Sequence, residues 1–180
     1  MKYISAFLVL FFISTSVFSD YVEKPFSIGV GTYRSVIAYD DSFFQDDEFS
    51  GLALSFAYAV SNNLAFRANF YSLEHDDLSS FDSSGYDLLA HFGTGFAQQG
   101  FKAYIGGGFF KDEWEFGPFD KTFNGLQLNG GIGYNWEAVS LDLVIGIRDS
   151  GDYEDFINDT LFTNISAAAI SSSLILSARF

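Results

Sequence analysis

The chain has 180 residues, 23 acidic against 9 basic side chains, a formal net charge of −14 and no cysteine. This acidity argues against nucleic-acid binding, because phosphate recognition requires clustered Lys and Arg. The absence of cysteine excludes disulfides, thiolate metal sites and lipid attachment through an N-terminal Cys. With 23 Phe, 10 Tyr and 17 Gly but only 2 Pro, the composition favours one β-rich domain.

Residues 1–19 have the pattern of a secretory signal peptide. Lys2 provides the positive start, Ile4–Val17 is apolar, and Val17–Ser19 offers a cleavage region. The apolar run is shorter than the roughly 20 residues that a transmembrane helix needs, and no later stretch reaches that length. We therefore expect an exported protein whose mature domain, residues 20–180, crosses no membrane as a helix.

Eight segments of the mature chain alternate apolar and polar residues with the period of a β-strand. Each is close to the length of about 9–11 residues that a tilted membrane strand requires. The predicted strands are Phe26–Val36, Leu52–Val60, Leu64–Leu73, Tyr86–Thr94, Phe101–Phe109, Leu126–Trp136, Val139–Ile147 and Ile170–Phe180.

The links between these segments alternate in length. Outer-membrane barrels have short periplasmic turns and long extracellular loops, and an even number of strands puts both termini on the periplasmic side. The long links are 39–50, 74–85, 111–123 and 149–163, and the short ones are 61–63, 95–100 and 135–138.

The last predicted strand has the clearest indication of where the protein is targeted. Leu174, Leu176, Ala178 and Phe180 share one face, and the sequence ends on the aromatic residue. This pattern looks like the sorting signal of outer-membrane barrels. We predict that these four residues are an assembly signal for the barrel-assembly machinery.

Aromatic residues collect at both ends of the predicted strands, on the apolar face. Because amphipathic rings prefer the headgroup region of a bilayer, we predict two aromatic belts. The periplasmic belt comprises Phe26, Tyr58, Phe92, Phe101, Tyr134 and Trp136 with Phe180, and the outer belt comprises Phe70, Tyr86 and Phe109.

Alternation alone also fits a soluble sandwich or a lipocalin-like barrel. The signal peptide, the belts, the alternating links and the terminal Phe favour a membrane barrel. The chain resembles the small eight-stranded outer-membrane barrels of the OmpA/OmpX type in its opening SIGVG, in GGIGYNWEAVSLDLVIGIRD at 130–149 and in its closing SLILSARF. The resemblance implies an all-β, eight-stranded antiparallel barrel in a Gram-negative outer membrane, in contact with lipids and lipopolysaccharide.

Seven ionisable residues lie on the polar face of the predicted strands: Arg67, Asp87, His91, Lys102, Asp142, Arg148 and Arg179. Side chains fill an eight-stranded barrel, and buried charges need partners. We predict a plug that pairs two acids with three bases, Asp87 and Asp142 with Arg67, Lys102 and Arg179. Such a network fits a polar core without transport, or alternatively a narrow, gated ion path.

The four long links hold 18 of the 23 acids. Their field would gather cations, and hard divalent ions accept such oxygen ligands. No link has the spacing of a calcium-binding loop, so we predict no metal site and no cofactor. Exposed aromatics among acids are typical of an interaction surface, which favours binding of a surface partner or adhesion. The aromatic residues of the links are Phe43, Phe44, Phe49, Phe81, Trp114, Phe116 and Phe119.

Catalysis finds little support in the sequence. His75–Asp77 facing Asp40–Asp41 superficially resembles an omptin-type protease, but that family needs ten strands. A barrel-type lipid A deacylase needs a His on the lipid face, whereas the parity of His91 points inward. We therefore predict a structural or surface-interaction role without catalytic residues; the alternatives are a porin-like channel and, less well supported, a lipid A-modifying enzyme.

Arg34 has the apolar parity of the first strand and lies at its outer end. A cation on the lipid side near that interface could reach lipopolysaccharide phosphates. The alternative is that a β-bulge turns the side chain into the loop.

Overall fold

The structure, a computed structural model, describes residues 24–40, 45–78, 80–161 and 165–180. The predicted signal peptide and two predicted loop aromatics, Phe43 and Phe44, lie outside these residues. No helix in the described ranges is long and apolar enough to cross a bilayer. The elements are β1 Phe26–Tyr39, β2 Asp47–Ala59, β3 Leu64–His75, β4 Phe81–Thr94, β5 Gly100–Phe116, β6 Phe119–Asn135, β7 Val139–Arg148, α1 Gly151–Leu161 and β8 Ala167–Arg179.

The eight strands form one closed barrel in chain order, and every neighbouring pair is antiparallel. β1 and β8 close the barrel from Ser27 opposite Arg179 to Tyr39 opposite Ala167. Main-chain hydrogen bonds of 3.0 Å in both directions between Phe26 and Phe180 extend this pairing. Closure leaves no sheet edge and satisfies the main-chain groups, as a sheet in lipid requires. The predicted fold class is confirmed.

Alternation sorts the side chains between two surfaces. Large apolar residues face outward, with Leu52, Ile105 and Leu128 each 72% exposed, whereas Asp87 and Asp142 inside are each 1% exposed. A soluble barrel would reverse this arrangement, because exposing so much apolar surface to water is unfavourable. The exterior is therefore a lipid-facing surface, and the soluble alternative is wrong.

Several strands extend further at the outer end than the sequence predicted. β5 and β6 have 17 residues each, so the predicted loop 111–123 is mostly a hairpin closed by the two-residue turn Gly117–Pro118. Gly117 has a φ of 59°, which favours glycine. The acids led us to expect a loop, but a strand that continues beyond the lipid into water accommodates the exposed Glu115 and Asp120.

The predicted loop 149–163 contains helix α1. The Asp149 carboxylate accepts a hydrogen bond from the Gly151 N–H at 3.1 Å, and the Ser150 hydroxyl donates to Glu154 at 3.0 Å. These bonds and the acids of the first turn stabilise the helix N-terminus. The amide of Asn158 bonds both main-chain groups of Ile165, which ties the helix to the start of β8.

Candidate functional site: the barrel interior

Arg148 is the centre of the middle layer of the interior, and its side chain is fully buried. Its Nη2 lies 2.9 Å from Oδ1 of Asp87, 2.7 Å from the hydroxyl of Tyr33 and 2.9 Å from that of Tyr71, while its Nε donates to Gln127 at 3.1 Å. The Tyr33 hydroxyl donates to the second oxygen of Asp87 at 2.7 Å. The guanidinium of Arg148 on β7 therefore connects its own strand to four others, β1, β3, β4 and β6.

Asp142 is the centre of a second layer nearer the periplasmic end. Lys102 Nζ donates to its carboxylate at 2.7 Å, Arg67 Nη2 lies 3.2 Å away, and the Tyr104 hydroxyl donates at 2.8 Å. Lys102 and Arg67 are two of the three bases that the sequence predicted as partners for the acids of the plug. The acid is thus shared by two buried cations.

The partners of Asp87 and Arg179 differ from the prediction. Asp87 pairs with Arg148, which the sequence had left without a partner. Arg179 does not reach Asp142; instead it donates to the main-chain oxygens of Trp136 at 2.9 Å and Phe96 at 3.4 Å. Its position near the end of β8 brings it to the turns, where unpaired carbonyls are available.

A third layer closes the outer end with aromatic rings. Phe49, Trp114, Phe123 and Tyr153 stack or pack edge-on, with ring centroids 5.1, 4.8 and 4.3 Å apart along this series. Tyr153 projects from α1 into the barrel and is 1% exposed. Through this ring the helix packs over the barrel interior at the end with the long links. We call this group the aromatic plug.

Asp112 lies fully buried beneath the aromatic plug, although the sequence placed it in a solvated loop. Tyr153 donates to it at 2.9 Å and Trp114 Nε1 at 3.3 Å, and Arg148 Nη1 is 3.8 Å away. Burial, together with the neighbouring Asp112 carboxylate, raises the pKa of the Tyr153 hydroxyl well above its usual value. Tyr153 therefore stays protonated and keeps its bond to Asp112 at neutral pH.

The predicted exposed loop aromatics divide into two groups. Phe49 and Trp114 are buried and Phe81 packs against them, so the interaction surface predicted for these three is wrong. Their strands continue past the lipid with unchanged parity, which turns them inward. Phe116 and Phe119 face each other at the hairpin turn and are 50% and 74% exposed.

Neither histidine has the environment of a catalytic base. His75 Nδ1 accepts two main-chain N–H bonds from the following turn, at 3.1 and 3.3 Å, and Nε2 lies 3.2 Å from Asp47. His91 points into the barrel and packs against the Tyr104 ring at 4.6 Å. His75 organises a turn and His91 fills the interior. A non-enzymatic role stays a prediction.

Arg34 lies on the outer surface, with 48% of its side chain exposed, and no bulge turns it away. It forms an ion pair with Glu48 and lies 3.9 Å from Asp76. A neighbouring carboxylate reduces its availability to phosphate, because the two anions compete for one guanidinium. Its contact with lipopolysaccharide stays a prediction.

The residues of the predicted periplasmic belt all lie on the outer surface, at the end with the short turns. Ring contacts join Phe26 to Tyr58 at 4.9 Å and to Phe180 at 6.3 Å, and Phe101 to Tyr134 at 5.0 Å. The other members, Phe92 and Trp136, are each 47% exposed. Of the predicted assembly signal, Leu174, Leu176 and Phe180 are also exposed to the lipid side, and Ala178 shares their parity.

No family model matches the chain, and no curated protein matches it in sequence. Its architecture does match solved structures. Ail, the attachment invasion locus protein of Yersinia pestis, has a TM-score of 0.59 at 15% identity, covering 88% of this chain and 99% of that chain. Neisserial surface protein A (NspA) has a TM-score of 0.63 at 17% identity, covering 86% and 97%. The chain has the fold of the small outer-membrane β-barrels.

A third match agrees with this conclusion. The outer membrane protein OprG from Pseudomonas aeruginosa has a TM-score of 0.55 at 14% identity, covering 87% of this chain and 97% of that chain. The apolar exterior suits the same environment. The chain therefore combines the fold of outer-membrane barrels with an apolar exterior that suits a bilayer, as the sequence predicted.

The plug predicted from the sequence left out the interior tyrosines and Asp112. Tyr33, Tyr71 and Tyr104 supply the hydroxyls that complete the two charged layers. All three share the polar parity of their strands, so parity alone would have found them. The predicted plug was built from ionisable residues alone, so these hydroxyls were not included in it.

Proposed function

We propose that this protein is a non-conducting outer-membrane barrel that acts at the cell surface through its extracellular end. The observation that carries the proposal is the interior packing: two charged layers and the aromatic plug lie one above another inside the barrel. A narrow barrel filled by paired side chains leaves no continuous aqueous path. What remains available to other molecules is the extracellular surface.

The tall β5–β6 hairpin is the part of that surface best suited to contact. Phe116 and Phe119 are exposed at its tip, between the exposed acids Glu115 and Asp120. Aromatic rings in an acidic setting favour a partner that presents basic and apolar groups, such as a cationic protein surface. Ail is named an attachment invasion locus protein and NspA a surface protein, which supports a role of this kind.

The first experiment measures conductance of the purified, refolded protein in planar bilayers. The expected result is silence, whereas regular current steps from the unmodified protein would contradict the proposal and favour the ion-channel alternative. Tyr153→Ala provides a comparison, because it removes the ring that seals the mouth while leaving the Arg148–Asp87 layer in place. We expect this variant to stay silent as well.

The second experiment measures binding of a cationic protein to the barrel in nanodiscs. Glu115→Gln/Asp120→Asn should weaken binding several-fold, because it removes charge beside the exposed rings. The matched control is Asp155→Asn/Asp159→Asn, which removes the same charge from exposed positions on α1. Equal weakening by both pairs would indicate a general acidic field and contradict a role for the hairpin tip.

A further inference from the structure

Basic side chains gather inside the barrel near its periplasmic end. A partly enclosed cavity of about 30 Å³ lies there, with Lys24 and Pro25 among its lining residues. Its lining includes the bases Arg67, Lys102 and Arg179, each more than nine-tenths buried. A chain with a net charge of −14 therefore concentrates buried positive charge at one place.

These buried cations exceed their partners. Among the described residues, Asp142 is the one carboxylate within 4.0 Å of Lys102 or Arg67, and it is shared by both. Arg179 has neutral carbonyl partners. Three buried cations thus face one anion. Burying an uncompensated charge is unfavourable in free energy, so a further anion bound in this layer would stabilise it.

Unpartnered polar atoms occur at the same cavity. Arg67 Nε and His91 Nε2 have no hydrogen-bond partner within the described part of the chain, and both residues line the cavity. Asn135 Oδ1, an acceptor, is the third such atom in the lining. Most buried polar groups in native proteins have partners, so atoms of this kind indicate a bound species.

We propose that this cavity is a binding site for a small monovalent anion of about the size of chloride, entering from the periplasm. Arg67 Nε and the ammonium of Lys102 would contact the ion, and Arg179 would add to the attractive potential. The volume accommodates roughly one or two waters, which fits a halide and is too small for sulfate or phosphate. Asn135 Oδ1 would accept from a water that accompanies the ion. This site is separate from the surface role proposed above.

The test of location uses crystals of the refolded full barrel grown in sodium bromide, and anomalous scattering at the bromine edge. We expect a peak inside the cavity within hydrogen-bond distance of Arg67. Bromide peaks confined to other places, or none, would overturn the proposal.

The solution test compares thermal unfolding in sodium chloride and in sodium gluconate at equal ionic strength. Gluconate is too large for the cavity, so chloride should raise the midpoint by about 2–4 °C. In Arg179→Gln, most of the chloride-dependent rise in the unfolding midpoint should disappear. The matched control Arg34→Gln, at the other end of the barrel, should keep this rise. Identical midpoints in the two salts for the unmodified protein would show that only water occupies the cavity and would contradict the proposal.

Discussion

Arg148 Nη2 lies 2.9 Å from Oδ1 of Asp87, and this contact joins β7 to β4 across the inside of the barrel. The two strands are not neighbours in the sheet, so main-chain hydrogen bonds do not connect them directly. Tyr33 and Tyr71 complete the shell around the guanidinium from β1 and β3. The pair thus holds two non-adjacent strands at a set distance across the barrel, and each residue neutralises the buried charge of the other.

Removing one member of this pair should be costly. Asp87→Ala leaves Arg148 buried with only the more distant carboxylate of Asp112, and we expect a loss of about 3–5 kcal/mol in the free energy of unfolding. Urea unfolding of the protein in lipid vesicles measures this. The exposed ion pair of Arg34 with Glu48 is the control, since Arg34→Gln should lower the free energy of unfolding by only about 0–1 kcal/mol. Asp87→Ala/Arg148→Met should be more stable than Asp87→Ala alone; an equal or lower stability would refute the explanation.

Gly133 makes room for the charged layer around Asp142. A Cβ placed on this residue would first meet the main-chain oxygen of Leu141, and it would lie 2.6 Å from Cε of Lys102 and 3.1 Å from Oδ1 of Asp142. Gly133→Val should therefore press against the main chain of β7 and displace the lysine from its carboxylate, lowering the free energy of unfolding by about 1–3 kcal/mol. Gly130→Val, on the outer surface of the same strand, meets nothing closer than 3.7 Å and is the control. Equal effects of the two changes would count against this role.

Stability should fall at alkaline pH because of Tyr153. Its folded pKa is raised by burial and by Asp112, so the bond is fully present below the ordinary tyrosine pKa of about 10. Above that pH the unfolded chain loses the proton first, and the free energy of unfolding decreases. Tyr153→Phe removes this contribution. We expect the difference in stability between the two proteins to shrink from pH 9 to pH 11, whereas a constant difference would exclude the mechanism.

Phe180 should affect assembly more than the finished barrel. Its ring contacts Phe26 from outside, and its main chain completes the closing strand pair. Phe180→Ala keeps the main-chain bonds but removes the ring that we predict the assembly machinery recognises. The amount of heat-modifiable protein in outer-membrane fractions should drop, and Phe180→Tyr should restore it. Unchanged levels of Phe180→Ala would refute the predicted signal.

The sequence predicted the barrel well because one physical rule governs nearly all of it. Parity placed Leu52 outside and Asp142 inside, and the alternating link lengths ordered the strands. Parity does not specify partners, since the side chain of Arg148 can reach several walls of so narrow a barrel. Its pairing with Asp87 depends on the register of strands that are not adjacent in the chain.

The outer end was predicted least well. Acids at Asp112 and Glu113 look like a loop, yet they continue β5 beyond the lipid, where water reaches one face only. Helix α1 lies in a segment rich in acids and without a strong apolar stripe. Its stability comes from Tyr153 and Phe156 packing on Phe123, a contact between distant parts of the chain that local sequence does not reveal.

The two tryptophans of the chain lie in different environments, one on the lipid side of the barrel and one inside it. Trp136 is 47% exposed on the lipid side at the periplasmic end, and Trp114 is 5% exposed within the aromatic plug. Trp114 reaches its final surroundings only after α1, which precedes β8, has folded over the mouth. Variants that retain one tryptophan each would therefore separate insertion into the bilayer from closure of the lumen as two fluorescence signals during folding.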